Sequence, residues 1–231
     1  MVVYGRLPVL EALSDDRVMV DQVLVSRRAR GEHVDDIVRQ AGRRGVPLRW
    51  VAPEKVTRMS GNGRQDQGVV ADVQAPGMRP LADAMPDGPV VLLDGVTNPV
   101  NVGMILRTAL GFSLAGVVLP RTGSPEVGPL VVKASAGLAL RAPVFGCETA
   151  AEGVALLRAA GFRVVGLDAR GGTALWSAEL PPRVAVVLGS ESTGLSVEVD
   201  ELVSIPMANG VESLNVAVAA GAVCAELARR R

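Results

Sequence analysis

Val184-Ala185-Val186-Val187-Leu188-Gly189-Ser190-Glu191-Ser192-Thr193-Gly194-Leu195 is the stretch on which the reading of this chain turns. A buried strand runs into a glycine and a short polar turn. A second apolar run comes next and ends Ile205-Pro206-Met207, and Ser213-Leu214-Asn215-Val216-Ala217 then opens a helix of small apolar residues. Two strand ends and one helix start bring glycine backbone, a carboxylate, a hydroxyl and an amide close together in sequence. Open α/β sheets bind ligands outside the carboxyl ends of their strands, so a cofactor is expected here.

Working outward, residues 90–94, 115–120 and 162–168 are further short apolar runs, with helical stretches between most of them. Such alternation predicts a parallel sheet covered on both faces. The N-terminal part reads as a separate small α/β unit. It has strand patterns at 18–25, 46–51 and 69–73, and Pro47 puts the second near a sheet edge. A helix is expected over 32–43, with Gly45 as its stop, and Pro53 suits the first turn of another. Residues 61–68 read as a mobile polar loop. Pro76-Gly77, Pro80, Pro86 and Gly88 punctuate the chain after the third of these strands. The expected organisation is therefore a small α/β domain at 1–75, a linker at 76–88 and a larger α/β domain at 89–231.

Composition narrows the chemistry. Of the 231 residues 48% are hydrophobic but only 3% aromatic, so the core must be built from Val, Leu and Ala. No apolar run approaches the eighteen or so residues that span a bilayer. Met1-Val2-Val3-Tyr4-Gly5-Arg6 lacks a basic segment followed by an apolar one, so no signal peptide is expected. Cys147 and Cys224 lie far apart in apolar surroundings and read as buried thiols, consistent with a cytoplasmic location. No Cys/His cluster has zinc-ligand spacing, so no metal is expected. The net charge is zero, and any nucleic-acid contact must come from local clusters such as Arg27-Arg28-Ala29-Arg30 or Arg43-Arg44. The single histidine, His33, falls in a polar helix pattern, which removes Ser-His-Asp and Cys-His mechanisms.

The motifs exclude further classes. Gly189 to Ser196 nearly matches the phosphate-binding G-x-x-x-x-G-K-[ST], but Leu195 replaces the lysine that the β/γ-phosphates need. No G-x-G-x-x-G follows a strand, and neither G-x-S-x-G nor S-x-x-K occurs. The run Asp94 to Ala109 is different. A strand ends at Asp94, Asn98-Pro99 enters a helix, and Asn101 and Arg107 stand six residues apart within it. Arg107 lies in an otherwise apolar helix, where a guanidinium facing inward is costly unless paired. A catalytic arginine and one paired with a nearby carboxylate are both open readings.

Three runs in order, Asn-x-Gly-x-x-x-Arg-Thr-Ala at 101–109, Gly-x-Glu-x-x-Gly-Leu at 189–195, and Ile205-Pro206-Met207 with Ser213-Leu214-Asn215-Val216-Ala217, resemble the motifs of the SpoU/TrmH family of ribose 2′-O-methyltransferases in the SPOUT superfamily. Lys133-Ala134-Ser135-Ala136-Gly137 also looks like a family segment. The resemblance spans about residues 88–228. The N-terminal part resembles the family's ribosomal-protein-like substrate-binding domain, with Asp66-Gln67-Gly68 where the family often has His-Gln-Gly.

The resemblance implies a deep C-terminal trefoil knot, a homodimer with the site completed across its interface, and S-adenosylmethionine as cofactor. It carries catalytic roles to Arg107, Asn101, Glu191, Ser213 and Asn215, and cofactor binding to Gly189, Ile205, Met207, Leu214 and Leu167. Residue by residue, Glu191 also reads as a salt-bridge or capping residue, Ser213 as an N-cap, and Asn215 as a partner of local backbone. The expected reaction is 2′-O-methylation of a ribose in RNA, a guanosine of large-subunit ribosomal RNA or of a ribosome assembly intermediate. A transfer RNA substrate and a resistance-conferring ribosomal methylation are alternatives. A catalytically silent RNA-binding dimer and an unrelated small-molecule α/β enzyme are rivals from other classes.

Overall fold

The computed structural model describes residues 1–74, 77–190 and 192–231. The chain divides into two compact units, one of residues 1–77 with 127–141, the other of 78–126 with 142–231.

In the first unit a four-stranded sheet is built from β1 (Val2–Tyr4), β2 (Met19–Ser26), β3 (Leu48–Val51) and β4 (Val69–Gln74), in the order β1-β4-β2-β3. Helices α1 (Arg6–Ser14), α2 (Glu32–Arg43) and α3 (Pro53–Ser60) connect them. The edge position of β3 agrees with Pro47, whose missing N–H suits a strand with one open side. The loop at 61–68, expected to be mobile, is tied down instead. Asp66 is buried, its carboxylate accepts from the Gly68 N–H at 2.8 Å, and the hydroxyls of Thr57 and Ser60 donate to it at 3.2 and 3.3 Å. A carboxylate with that many donors fixes the loop that carries it.

The segment 127–141 joins this unit from far along the sequence. It holds a short helix, Pro129–Ala134, and a 3₁₀ turn, Leu138–Leu140. Buried Ser135 donates to the Val132 carbonyl and accepts from the Ala139 N–H, both at 2.9 Å. Gly137 lies against α1 with φ 97°, and a Cβ there would meet the Glu11 Cβ at 2.6 Å. The Lys133 ammonium stands 5.8 Å from the centre of the Tyr4 ring, a cation–π contact.

The second unit is an eight-stranded sheet whose pairings are all parallel. With β5 (Arg79–Pro80), β6 (Val90–Asp94), β7 (Gly116–Pro120), β8 (Val144–Cys147), β9 (Arg163–Leu167), β10 (Thr173–Ala174), β11 (Val184–Gly189) and β12 (Glu201–Ser204), the order is β10-β12-β9-β11-β6-β7-β8-β5. Continuously apolar β6 and β11 lie side by side at the centre, as strands buried on both faces must. The helices are α4 (Pro99–Gly111), α5 (Ala150–Ala159) and α6 (Val216–Arg229). Two short strands depart from the expected organisation. β5 lies in the stretch read as a linker and is followed by fully buried Leu81, and β8 interrupts a stretch without a strand pattern. Ala75 and Pro76 lie outside the described residues.

Candidate active site

Strands β9, β11 and β12 end on one side of the sheet, and a cavity of about 240 Å³ opens there. Leu167, Gly189, Ile205, Met207 and Leu214, the residues expected to grip a cofactor, all line it, and so does Ser213. Its walls are mainly aliphatic, with Leu188, Val216 and Ala219 completing them.

Glycine at 189 is required by the chain's own fold. A Cβ there would stand 2.5 Å from the carbonyl carbon and oxygen of Gly194. The chain's own loop folds back over Gly189, closed by reciprocal backbone hydrogen bonds between Ser190 and Gly194 at 3.1 and 2.9 Å. Gly194, at φ 70°, makes that return possible. The loop is then anchored to the neighbouring strand. Asp94, buried at the end of β6, accepts from the Ser196 N–H at 2.5 Å and the Ser196 hydroxyl at 2.7 Å.

Asp168 is a second strand-end carboxylate. It lines the cavity, and the Arg170 guanidinium that donates to it holds its pKa down at about 2. The same guanidinium pairs with the carboxylate through two hydrogen bonds and offsets its charge. The sequence marks Asp94 as a strand end, but neither aspartate was expected at the site, although an acidic residue closing an apolar parallel strand is a legible signal for either.

A second hollow adjoins the first, sharing Ser190 and Val216 with it. Gly95, Thr97, Asn98, Asn101 and Ser192 are around it, and its lining is largely polar. Asn98 caps α4 by accepting from the Val100 N–H at 2.9 Å, and Pro99 occupies the first turn. The final helix starts at Val216, three residues later than Ser213, so Ser213 is not its cap. Asn215 is, with its Oδ1 accepting from the Ala217 and Val218 N–H groups at 3.0 and 3.4 Å. The Asn215 Nδ2 donates to the Asn101 Oδ1 at 3.1 Å, which ties the start of α6 to α4.

Arg107 departs from expectation. Its side chain is exposed on α4 and makes no hydrogen bond or ion pair among the described residues, so neither an inward-facing nor a carboxylate-paired arginine is found. It lines neither hollow. Glu191 lies outside the described residues. Burial raises the pKa of Cys147 to about 11 and of Cys224 to about 12, so neither thiol is a nucleophile near neutral pH. Among the described residues no group of three His, Cys, Asp or Glu could hold a metal, and no helix is long and apolar enough to cross a membrane.

The SpoU rRNA Methylase family model matches residues 88–225, and the model for RNA 2′-O ribose methyltransferase substrate binding matches residues 2–78. The chain belongs to the SpoU rRNA methylase family. An uncharacterized tRNA/rRNA methyltransferase of Mycolicibacterium gilvum is 37% identical over 246 residues, which takes in 100% of this chain and 76% of the relative. The crystal structure of the SpoU methyltransferase AviRb from Streptomyces viridochromogenes, in complex with AdoMet, superposes with a TM-score of 0.83 at 26% identity, over 100% of this chain and 89% of that one. An AdoMet-bound rRNA methyltransferase from Sinorhizobium meliloti gives a TM-score of 0.80 at 25% identity, over 99% and 86%. The methyltransferase thus has the SPOUT α/β fold with a small N-terminal domain, acts on RNA and uses S-adenosylmethionine. Its cavity fits that cofactor. Aliphatic walls at Leu167, Ile205 and Leu214 suit a purine, and the Asp168 and Ser213 side chains on the same lining supply polar partners.

Proposed function

We propose that the methyltransferase transfers its methyl group to a ribose 2′-hydroxyl of RNA, with a guanosine in large-subunit ribosomal RNA as target, and works as a homodimer. The observation that carries the reading is the pair of adjoining hollows at the carboxyl ends of the central strands. One is aliphatic and suited to the cofactor; the other is polar and suited to a ribose and its phosphate. The family's substrate-binding model over residues 2–78 supports the ribose 2′-oxygen as acceptor, and the similarity to a named rRNA methyltransferase supports ribosomal RNA. The name of the Mycolicibacterium relative also covers tRNA, which makes transfer RNA the second reading.

When bound, S-adenosylmethionine would supply a sulfonium-activated methyl group for the ribose oxygen, whose hydroxyl proton must be lost. Holding the two reactants together contributes up to roughly 7–11 kcal/mol. Leu167, Ile205 and Leu214 grip the cofactor, and Asn101, held by Asn215, faces the acceptor. Arg107 offers five N–H donors and no acceptor, so it is given an orienting role and not that of a general base. Its planar fork holds an RNA phosphate and orients the hydroxyl, and the proton leaves to solvent or phosphate. Arg107 is exposed on the same helix as exposed Val100 and Met104, so a second copy covering these apolar side chains and Val218 would carry one protomer's arginine to its partner's site. A knotted passage of the C-terminal helix belongs to the same proposal.

The test is incubation with methyl-labelled S-adenosylmethionine and RNA from cells lacking the gene, followed by nucleoside analysis. Label in 2′-O-methylguanosine of large-subunit RNA supports the proposal. Label in a methylated base overturns the ribose reading, and label confined to transfer RNA selects the second one. Cofactor binding with no label on any RNA, including assembly particles, favours a silent RNA-binding dimer.

A further inference from the structure

Aromatic residues are scarce in this chain, with three Phe, two Trp and one Tyr. Tyr4, Phe145 and Phe162 are buried, as a core short of large side chains requires. Phe112 and Trp176 are exposed, and so is Trp50, which lies among arginines. It stands 44% exposed on β3, the open edge of the small sheet. An indole left in water forgoes the large burial gain that its area offers.

Its surroundings give it a use. Trp50 lines a shallow hollow with Arg27, Arg30, Val34 and Asp35. The exposed side chains of Arg27 and Arg28 make no hydrogen bond or ion pair among the described residues. Arg30 turns its guanidinium back onto the carbonyls of Arg27 and Ala29 at 2.6 and 2.7 Å, which stiffens the turn that presents the other two. On the far side of that turn Arg28 lines a second hollow with Arg6, His33 and Gln67. An arginine ridge thus separates two depressions, one floored by an aromatic face, on a protein whose net charge is zero.

We propose that Trp50 is a stacking platform for an unpaired base of the RNA substrate, with Arg27 and Arg28 on the flanking phosphates. Aromatic faces take splayed-out bases, and arginines follow the backbone that carries them. A base inside a duplex cannot reach the indole, so the site selects a loop or single-stranded segment. The Asp35 carboxylate at the rim accepts from an exocyclic amino group, which cytosine offers and uracil lacks. This inference rests on RNA being the substrate and adds which part of the RNA the small unit holds.

The test uses the full chain carrying Trp176→Phe, which leaves Trp50 as its one tryptophan, without cofactor. Single-stranded oligo(C) of eight nucleotides quenches its emission saturably, and a blunt RNA duplex of the same length does not. Trp50→Ala weakens oligo(C) binding about ten- to a hundredfold, while Trp50→Phe restores most of it and shows that the edge strand still folds. Arg27→Ala lowers the slope of log K against log salt by about 0.7. In methyl transfer, Trp50→Ala raises KM for RNA and leaves kcat and cofactor affinity unchanged. An unquenched Trp50, equal binding of duplex and single strand, or an unaltered KM overturns the proposal. Failure of the wild-type chain to methylate any RNA would instead sink the functional reading, because the quenching assay involves no methyl transfer.

Discussion

Gly189 has no room for a side chain because the loop after it returns across it. A methyl group there meets backbone at 2.5 Å, and backbone cannot swing aside as a flexible side chain can. Gly189→Ala is therefore expected to cost about 1–3 kcal/mol and to weaken S-adenosylmethionine binding at least tenfold by titration calorimetry. An unchanged Kd would show that the loop absorbs the methyl. Arg107 makes the opposite case, since its exposed side chain has no hydrogen bond or ion pair among the described residues. Arg107→Lys keeps the charge and loses the fork, so turnover should fall at least a hundredfold with cofactor affinity and thermal stability unchanged. Near wild-type turnover would refute the fork. Glu226 is a structural counterpart. Arg229 and then Arg230 donate to it, which holds its pKa down at about 2. A depressed carboxylate stabilises the fold above its unfolded pKa near 4.5 and loses that contribution as pH falls towards 2. Glu226→Gln should lower stability by about 1–2 kcal/mol at pH 7, and the gap from wild type should close between pH 4.5 and 2 in denaturant titrations.

At the scale of elements, the site is a set of fastenings between neighbours. Asp94 joins β6 to the loop after β11, and Asn215 joins the start of α6 to α4 through Asn101. Asn215→Ala removes both a helix cap and that bridge, and should cost about 1–2 kcal/mol in thermal denaturation. Much of this architecture was legible. The five longest apolar runs of the second unit announced themselves as buried parallel strands, and the strand-end cluster pointed to the cavity. What stayed hidden was too short or too distant to leave a local pattern. β5 and β10 have two residues each, β8 has four with a glycine among them, and β1 has three. Helix α1 carries Pro8, which masked its period. Ser213 was read as a cap because serine favours that position, but Asn215 stands nearer the first helical residue and caps it instead. The inward reading of Arg107 assumed that an apolar helix is covered on every side by its own chain.

At the scale of the whole molecule, Val100 and Met104 on α4 and Val218 on α6 are large apolar side chains left exposed, on two helices that pack together. If two copies meet there, Met104→Glu with Val218→Glu should yield a monomer in sedimentation velocity and cut methyl transfer at least tenfold, with each unit still folded. A monomeric wild-type chain would remove the dimer from the mechanism. The other whole-molecule feature is the segment 127–141, which completes the first unit although about fifty residues of the second unit precede it in the chain. During synthesis, the small unit leaves the ribosome without its final piece. At about 5–20 residues per second, roughly sixty more residues must be made before that piece arrives. For several seconds the nascent chain therefore carries the small sheet without the segment that packs against β1 and α1.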